Sequence, residues 1–361
     1  MDIAIQRLRH QRLVGRPFAR PEDVVRWLGA VQSQDYAGAK WAVAQRTRAC
    51  TDDDVERAFA DARILRTHVL RPTWHFVLPD DIRWMLALTA PRVRAAMASY
   101  ERKLALDAAV HRRSQAVLQK ALAGGKALTR DELGRALGAA GIAASGERLG
   151  LIMMRAEVDA LIASGPRRGK QSTYALLDER APRGRTLARD EALAELAGRY
   201  FASHGPALPQ DFAWWSGLTV GDARRGIDSA SPRLASVTAD GKTYWTAPGA
   251  AGGARVAPSA VHLLPNYDEV IVAYRDHAAS LAPGVAPKFA LRPDMVANHI
   301  VIVAGRVVGG WRRLPGKREM VVEIALATRL DGAAREALAA AAERFGRFLR
   351  VPVIVRARAR G

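Results

Sequence analysis

Val24, Val25, Leu28 and Val31 recur at the spacing of one helix face. Arg20-Pro21-Glu22-Asp23 precedes them, a proline that suits a first helical turn and two acids that suit its positive end. Ile5, Leu8 and Leu13 among Arg and Gln predict a shorter amphipathic helix over residues 3–14. Trp41-Ala42-Val43-Ala44-Gln45 reads as a strand, Thr51 to Ala60 as a helix opened by Asp52, Asp53 and Asp54, and Val69 to Val77 as a second extended segment. Pro79-Asp80-Asp81 opens a longer helical region that reaches, with breaks, to about Leu106.

The pattern is clearest after that. Ser114 to Leu122 is helical and stops at Gly124-Gly125. Thr129-Arg130-Asp131-Glu132 has the form of a capping box, in which threonine and glutamate each satisfy an orphan amide of the helix start. Leu133, Ala136, Leu137 and Ala140 follow at helical spacing. Ser145 opens a third helix with Leu149, Ile152, Met153, Ala156 and Ala160 on one face. A basic turn, Arg167-Arg168-Gly169-Lys170, leads into a strand over Ser172 to Leu177. Three helices followed by a hairpin predict a winged helix. The order recurs: helices over Arg189 to Phe201, from Leu208-Pro209-Gln210-Asp211 and from Thr219, then a hairpin from Leu234 to Thr246 turned by Asp240-Gly241, a pair that favours a type I′ turn. Such recurrence points to duplication, with the first 80 residues as a modified third copy.

Ala247 to Ala260, rich in Gly, Ala and Pro, reads as a linker. Beyond it Val261 to Ala273, His299 to Val303, Val307 to Trp311 and Met320 to Ala325 are strand-like, Asp331 to Leu349 is a helix, and Val351 to Val355 a last strand. The expected fold class is α+β: a modified winged-helix domain over 1–106, winged-helix domains over 107–180 and 181–250, and a small α+β domain over 255–361.

Composition changes this picture in one respect. The 361 residues are 49% hydrophobic and 25% charged, ordinary for a globular chain. The 55 Lys and Arg against 36 Asp and Glu give a net charge of +19, which points to a polyanionic partner, nucleic acid first. A single cysteine, Cys50, excludes a disulfide framework and a cysteine zinc site. With no signal-like N-terminus and no run of about 18 apolar residues, a cytoplasmic monomer without a membrane contact is expected.

The chemistry centres on Val31-Gln32-Ser33-Gln34-Asp35-Tyr36 and on Arg66-Thr67-His68-Val69-Leu70-Arg71-Pro72-Thr73-Trp74-His75. On a helix, positions i and i+2 diverge; from extended chain they point the same way. Gln32 and Gln34 therefore serve one site only if the helix ends near Val31, an ending for which Gly38 offers the backbone freedom. His68 and His75 lie seven apart in chain read as extended and face opposite sides, with no acidic cluster beside them, so no metal is expected. No nucleophile elbow and no glycine-rich phosphate loop follows a strand. For DNA contacts the candidates are Arg167, Arg168 and Lys170 at the hairpin tip, and Arg148 and Arg155, seven apart on one helix face. The chain's end, from Arg344 on, holds six arginines and no acid.

Together, Gly29 through Asp35, Trp41 through Arg46, Arg66 through Val77, Leu263-Leu264-Pro265-Asn266-Tyr267-Asp268-Glu269, Asn298-His299-Ile300-Val301 and Gly309-Gly310-Trp311-Arg312 resemble the AlkZ/YcaQ family of bacterial DNA glycosylases. Each motif is short; the combination covers nearly the whole chain. The resemblance implies tandem winged helices, double-stranded DNA carrying bulky N7-alkylguanine adducts or interstrand crosslinks as substrate, no cofactor, and a catalytic Gln-x-Gln at Gln32 and Gln34, with Ser33 where an apolar residue is common. Asp35 is the candidate base, a role a glutamine carbonyl cannot fill, and Arg71 and His75 are candidates for the facing wall, since Pro72 forces extended backbone at Arg71. The rival reading is a non-catalytic winged-helix regulator.

Overall fold

The computed structural model describes residues 2–182, 184–249, 256–282, 285 and 299–357. After α1 (Ile3–His10), one topology runs three times. The first copy is α2 (Pro21–Leu28), β1 (Val31–Gln32), α3 (Tyr36–Ala44), α4 (Asp52–Ala60) and the hairpin β2 (Leu65–His68) and β3 (Trp74–Val77), with sheet order β1-β3-β2. The long α5 (Ile82–Lys103), continuous through Pro91, leads to the second. That copy is α6 (Ala108–Leu122), β4 (Leu128–Thr129), α7 (Arg130–Ala139), α8 (Gly146–Val158), β5 (Ile162–Arg168) and β6 (Gln171–Leu176), with order β4-β6-β5. A short α9 (Leu177–Arg180) precedes the third copy: α10 (Arg189–His204), α11 (Pro209–Ser216), α12 (Val220–Ala230), β7 (Ala235–Ala239) and β8 (Lys242–Thr246). There a single bridge, Ala207 to Trp245, stands where the other copies have their short first strand.

Local chemistry accounts for many of the boundaries. Capping boxes at Thr51–Asp54, Thr129–Glu132 and Thr219–Asp222 start α4, α7 and α12. Asp240 and Gly241 both take positive φ, as a type I′ turn requires. The C-terminal unit is a five-stranded sheet ordered β13-β12-β11-β10-β9. Its strands are β9 (Val261–Leu264), β10 (Ile300–Val303), β11 (Arg306–Pro315), β12 (Met320–Leu326) and β13 (Val353–Ala357). All pairs are antiparallel except β12 with β13. Between β9 and β10 lies the short α13 (Glu269–Val272), and α14 (Gly332–Leu349) buries Phe345 and Phe348 against the sheet.

Four expectations need correction. Trp41 to Ala44 is helical and Gln45 its C-cap, not a strand. Asp35 caps α3, and its apolar residues are spread round the helix because two cores claim it: Ala39, Ala42 and Val43 join that of the first copy, Trp41 and Ala44 that of the C-terminal unit. With α3 a helix, the first copy has the same element order as the second. Val69 to Val77 is not one strand, because Leu70 at φ +66 turns the chain inside a hairpin. Gly29 (φ +82), not Gly38, ends α2, which places Val31 in a strand rather than on the helix stripe. Finally, Val261 to Ala273 is extended only to Leu264; Tyr267 at φ +60 reverses the chain and Asp268 caps α13. Residues 250–255 of the expected linker, Asn298, and Arg358 and Arg360 of the basic end lie outside the described residues.

Candidate active site

Antiparallel pairing sets Gln32 of β1 opposite His75 of β3, and Thr67 of β2 opposite the same histidine on its other side. Side chains alternate along strands, so Gln32, His75 and Thr67 lie side by side on one face. All three are buried, and each carries an atom without a protein partner: Gln32 Oε1, His75 Nε2 and Thr67 Oγ1. The Nδ1–H of His75 donates to the Thr73 carbonyl at 3.0 Å, which leaves Nε2 as an acceptor. Burial holds this imidazole's pKa down to about 3, with the Arg71 charge adding to the effect, so it is neutral at physiological pH. Ser33 Oγ, Thr73 Oγ1 and Arg71 Nε and Nη2 are likewise buried without partners. Arg71 sits in the β2–β3 turn over the ring of Trp214, 5.3 Å from its centroid; burial lowers its pKa against the opposing charge of Glu269. Buried polar groups nearly always find partners. Here several unpartnered ones gather on one hairpin and its neighbouring strand.

The backbone of this stretch is fixed from several sides. Glu269 of α13, fully buried, accepts the Gln32 N–H at 2.8 Å through Oε1 and the Trp215 indole N–H at 3.0 Å through Oε2. The Ser33 N–H donates to the Trp74 carbonyl at 2.7 Å, and the Ser33 carbonyl accepts from Arg66 Nε at 3.1 Å and Nη2 at 2.9 Å. Arg66 itself lies over Trp74, 4.3 Å from the ring centre. Asp35 caps α3, its Oδ1 accepting the Gly38 N–H at 3.1 Å. Gly38 serves space rather than a helix exit: a Cβ there would lie 2.9 Å from both Asn266 Oδ1 and Asp35 Oδ2. Asp268, beside Glu269, forms a fully buried bidentate pair with Arg46 at 2.9 and 3.0 Å.

Gln34 has different surroundings. It is exposed and borders a cleft of about 280 Å³ with His68, Trp74, Met153, Met154 and Tyr174. His68 and Trp74 pair across the hairpin, on the face opposite Thr67 and His75. Gln34, and not Gln32, borders this cleft, which departs from the expectation of two amides lining one cleft from extended chain. His68 is bonded through Nδ1 to Glu157 of α8. It faces away from His75, as expected, but because the two lie on paired strands and not on one continuous strand. No group of three or more His, Cys, Asp or Glu able to hold a metal occurs among the described residues, and no helix among them is long and apolar enough to cross a membrane.

Comparison with known proteins bears directly on this arrangement. The family model described as "DNA glycosylase AlkZ-like" matches residues 25–348. The chain belongs to the AlkZ-like DNA glycosylase family. Within it, the interstrand DNA cross-link repair glycosylase of Streptomyces sahachiroi is 27% identical over 329 residues, covering 84% of this chain and 85% of that protein. The solved structure of Streptomyces sahachiroi DNA glycosylase AlkZ superposes with a TM-score of 0.79 at 25% identity, covering 98% of each chain. DNA is therefore the substrate of this AlkZ-like protein, yet the arginines expected to meet its phosphates are mostly engaged within the fold. Arg148 donates to the carbonyls of Ala143, Leu104 and Ala105, tying α8 to the end of α5. Arg155 pairs with Asp159 at 2.8 Å and Glu101 at 3.5 Å. The β5–β6 hairpin turns inward: Ser164 Oγ accepts the Arg66 N–H at 2.8 Å, and Arg167 lies over Tyr36 at 4.8 Å, beside Glu56 at 3.6 Å. Arg168 pairs with Glu132, while Lys170 stays exposed. Sequence spacing shows where a charge sits along the chain, not which neighbour meets it. Arg66, Thr67, Asn266 and Glu269 were missed individually, although all lie in the runs that carry the family resemblance.

Proposed function

We propose that this AlkZ-like glycosylase is a monofunctional hydrolase that cleaves the N-glycosidic bond of N7-alkylated purines in double-stranded DNA. The Streptomyces sahachiroi relative, named for interstrand cross-link repair, extends the proposal to unhooking crosslinks joined at such a position. The three repeats act as winged-helix units that seat the duplex, with the C-terminal unit completing the site. An N7-alkylpurine is already cationic and leaves without a strong acid. What remains is to hold a water and to stabilise an oxocarbenium-like sugar, a task for oriented dipoles in a partly dry site.

The observation that carries this reading is the buried, unpartnered Gln32 carbonyl beside neutral His75, two residues before the exposed Gln34. Gln32 Oε1 and His75 Nε2 are both acceptors and suit the two hydrogens of one water; the Gln34 amide reaches the lesion from the open side. Asp35 is committed to its cap through Oδ1 and serves α3 rather than as the base. Single-turnover release of 7-methylguanine from a methylated duplex tests the assignment. Gln32→Ala and Gln34→Ala each slow it by about a hundredfold, the cost of one oriented dipole at a transition state, while duplex affinity changes little because phosphate contacts carry binding. A protein that binds duplex but releases no base is a docking module only. Full activity in both variants removes the glutamines from the chemistry.

A further inference from the structure

The cleft beside Gln34 has a chemistry of its own. Its walls come from the first copy (His68, Pro72, Trp74), from the end of α5 (Tyr100) and from the second copy (Met153, Met154, Leu151, Gly150 and Tyr174). Most of these groups are aromatic, thioether or aliphatic. Glu157 is bonded to His68, and the rim carries exposed Glu147 and exposed Arg130, whose guanidinium bonds the Gly146 carbonyl at 2.7 Å. A dry apolar cavity of about 150 Å³ holds one benzene ring. At about 280 Å³ this cleft has room for a bicyclic aromatic group but not for a whole nucleotide. Two adjacent methionines give its wall adaptability, since thioether side chains repack around ligands of different outline.

We infer that this cleft binds the alkyl arm of the lesion, and that the arm it selects is a flat aromatic or apolar group attached to a cationic purine. This rests on the glycosylase reading for what the arm is attached to, not for the cleft's preference. The exposed Glu147 carboxylate complements the purinium charge, Trp74 and Tyr174 offer ring faces, and Gln34 stands where arm and base join. The inward-turned β5–β6 hairpin thereby gains a role. It closes the second copy against the first and shapes a pocket for the lesion.

Gly150 supplies a clean probe. It lies within α8 without positive φ, and a Cβ there meets only the end of the Arg130 side chain, Nη2 at 3.0 Å. Replacing it lengthens a side chain into the cleft, and the helix loses a residue that propensity disfavours. Duplexes are made with a single N7-benzylguanine or N7-methylguanine on a 2′-fluoro sugar, whose electron withdrawal opposes the oxocarbenium ion and keeps the glycosidic bond intact. Equilibrium binding is measured by fluorescence anisotropy, with thermal melts confirming that each protein is folded. The unmodified protein prefers the benzyl duplex by about tenfold or more, Gly150→Ala lowers that ratio, and Gly150→Leu brings it close to one. A ratio near one in the unmodified protein, or one unchanged across the Gly150 series, overturns the inference. A graded loss in a protein that never releases base from the ordinary 2′-deoxy lesion upholds the cleft and rejects the glycosylase reading instead.

Discussion

Glu269 joins parts of the chain that lie far apart in sequence. One carboxylate oxygen holds the Gln32 N–H at 2.8 Å and the other the Trp215 indole at 3.0 Å, all of it buried. A carboxylate accepts through both oxygens, whereas an amide presents one acceptor and one NH2 donor. Glu269→Gln therefore faces one buried donor with another donor. An unsatisfied buried group costs about 1–3 kcal/mol, and here the strained partner is either the backbone of Gln32 or the indole that anchors α11. The expected outcome is a lower Tm together with slower base release, read by thermal unfolding and single-turnover kinetics on the same preparation. An unchanged rate means that Glu269 does not position Gln32. Asp268 makes a useful contrast, since its partner is Arg46 and the pair is fully buried. Asp268→Asn leaves that guanidinium without a full counter-charge, and breaking a buried pair costs about 3–5 kcal/mol. Its variant should lose more stability than Glu269→Gln.

The turn between β2 and β3 is held by an element from another copy. Gly217 ends α11 at φ +70, and a Cβ there would lie 2.3 Å from the Leu70 carbonyl oxygen and 3.3 Å from Arg71 Cγ. Gly217→Ala therefore adds a left-handed penalty of about 1 kcal/mol to a collision with backbone that cannot swing aside. It should lower Tm and shift Arg71 from its place over Trp214, slowing base release although Gly217 has no side chain to contribute. Normal kinetics in this variant would separate Arg71 from the chemistry. The same turn shows where sequence reading runs out. Leu70 takes φ +66 without being glycine, so Val69 to Val77 looks like uninterrupted strand. The helix α3 misleads in another way: Trp41 packs against Phe345 and Phe348, 5.1 Å from each ring, while Val43 faces the opposite core. A helix buried on both sides loses its period. Thr129 and Glu132, by contrast, announce α7 correctly, because a capping box is satisfied within four consecutive residues. The Gln-x-Gln stretch was legible by its resemblance to a family; its partners Glu269 and Arg66 were not, since only the folded chain brings them to it.

Across the whole molecule, the charge of +19 is a poorer map of the DNA surface than it first suggests. Arginines at the basic end serve the fold: Arg344 donates to the Gln45 carbonyl at 2.7 Å and Arg350 pairs with Asp53 at 2.9 Å. The histidines make a firmer prediction. Burial depresses the pKa of His10, His75, His111, His262, His277 and His299 below the ordinary 6.5, to about 3 for His75 and about 4 for His262. In the unfolded chain each takes up a proton near pH 6.5; in the folded chain each resists until lower pH. Between those values the unfolded state binds more protons, so stability falls as pH falls. The contribution is fully present above pH 6.5 and is lost progressively towards pH 3–4, by at most about 1.4 kcal/mol per pH unit for each group. The window from pH 6.5 down to 5 isolates this effect, because ordinary carboxylates titrate below it. Thermal melts across that window should show Tm dropping steadily, after a plateau above pH 7. His262→Gln, at a buried position among the C-terminal strands and remote from the glutamines in sequence, should reduce the slope. A Tm that stays level from pH 6.5 to 5 would mean that these imidazoles are open to protonation in the folded protein, and the neutral, water-holding role assigned to His75 would fall with it.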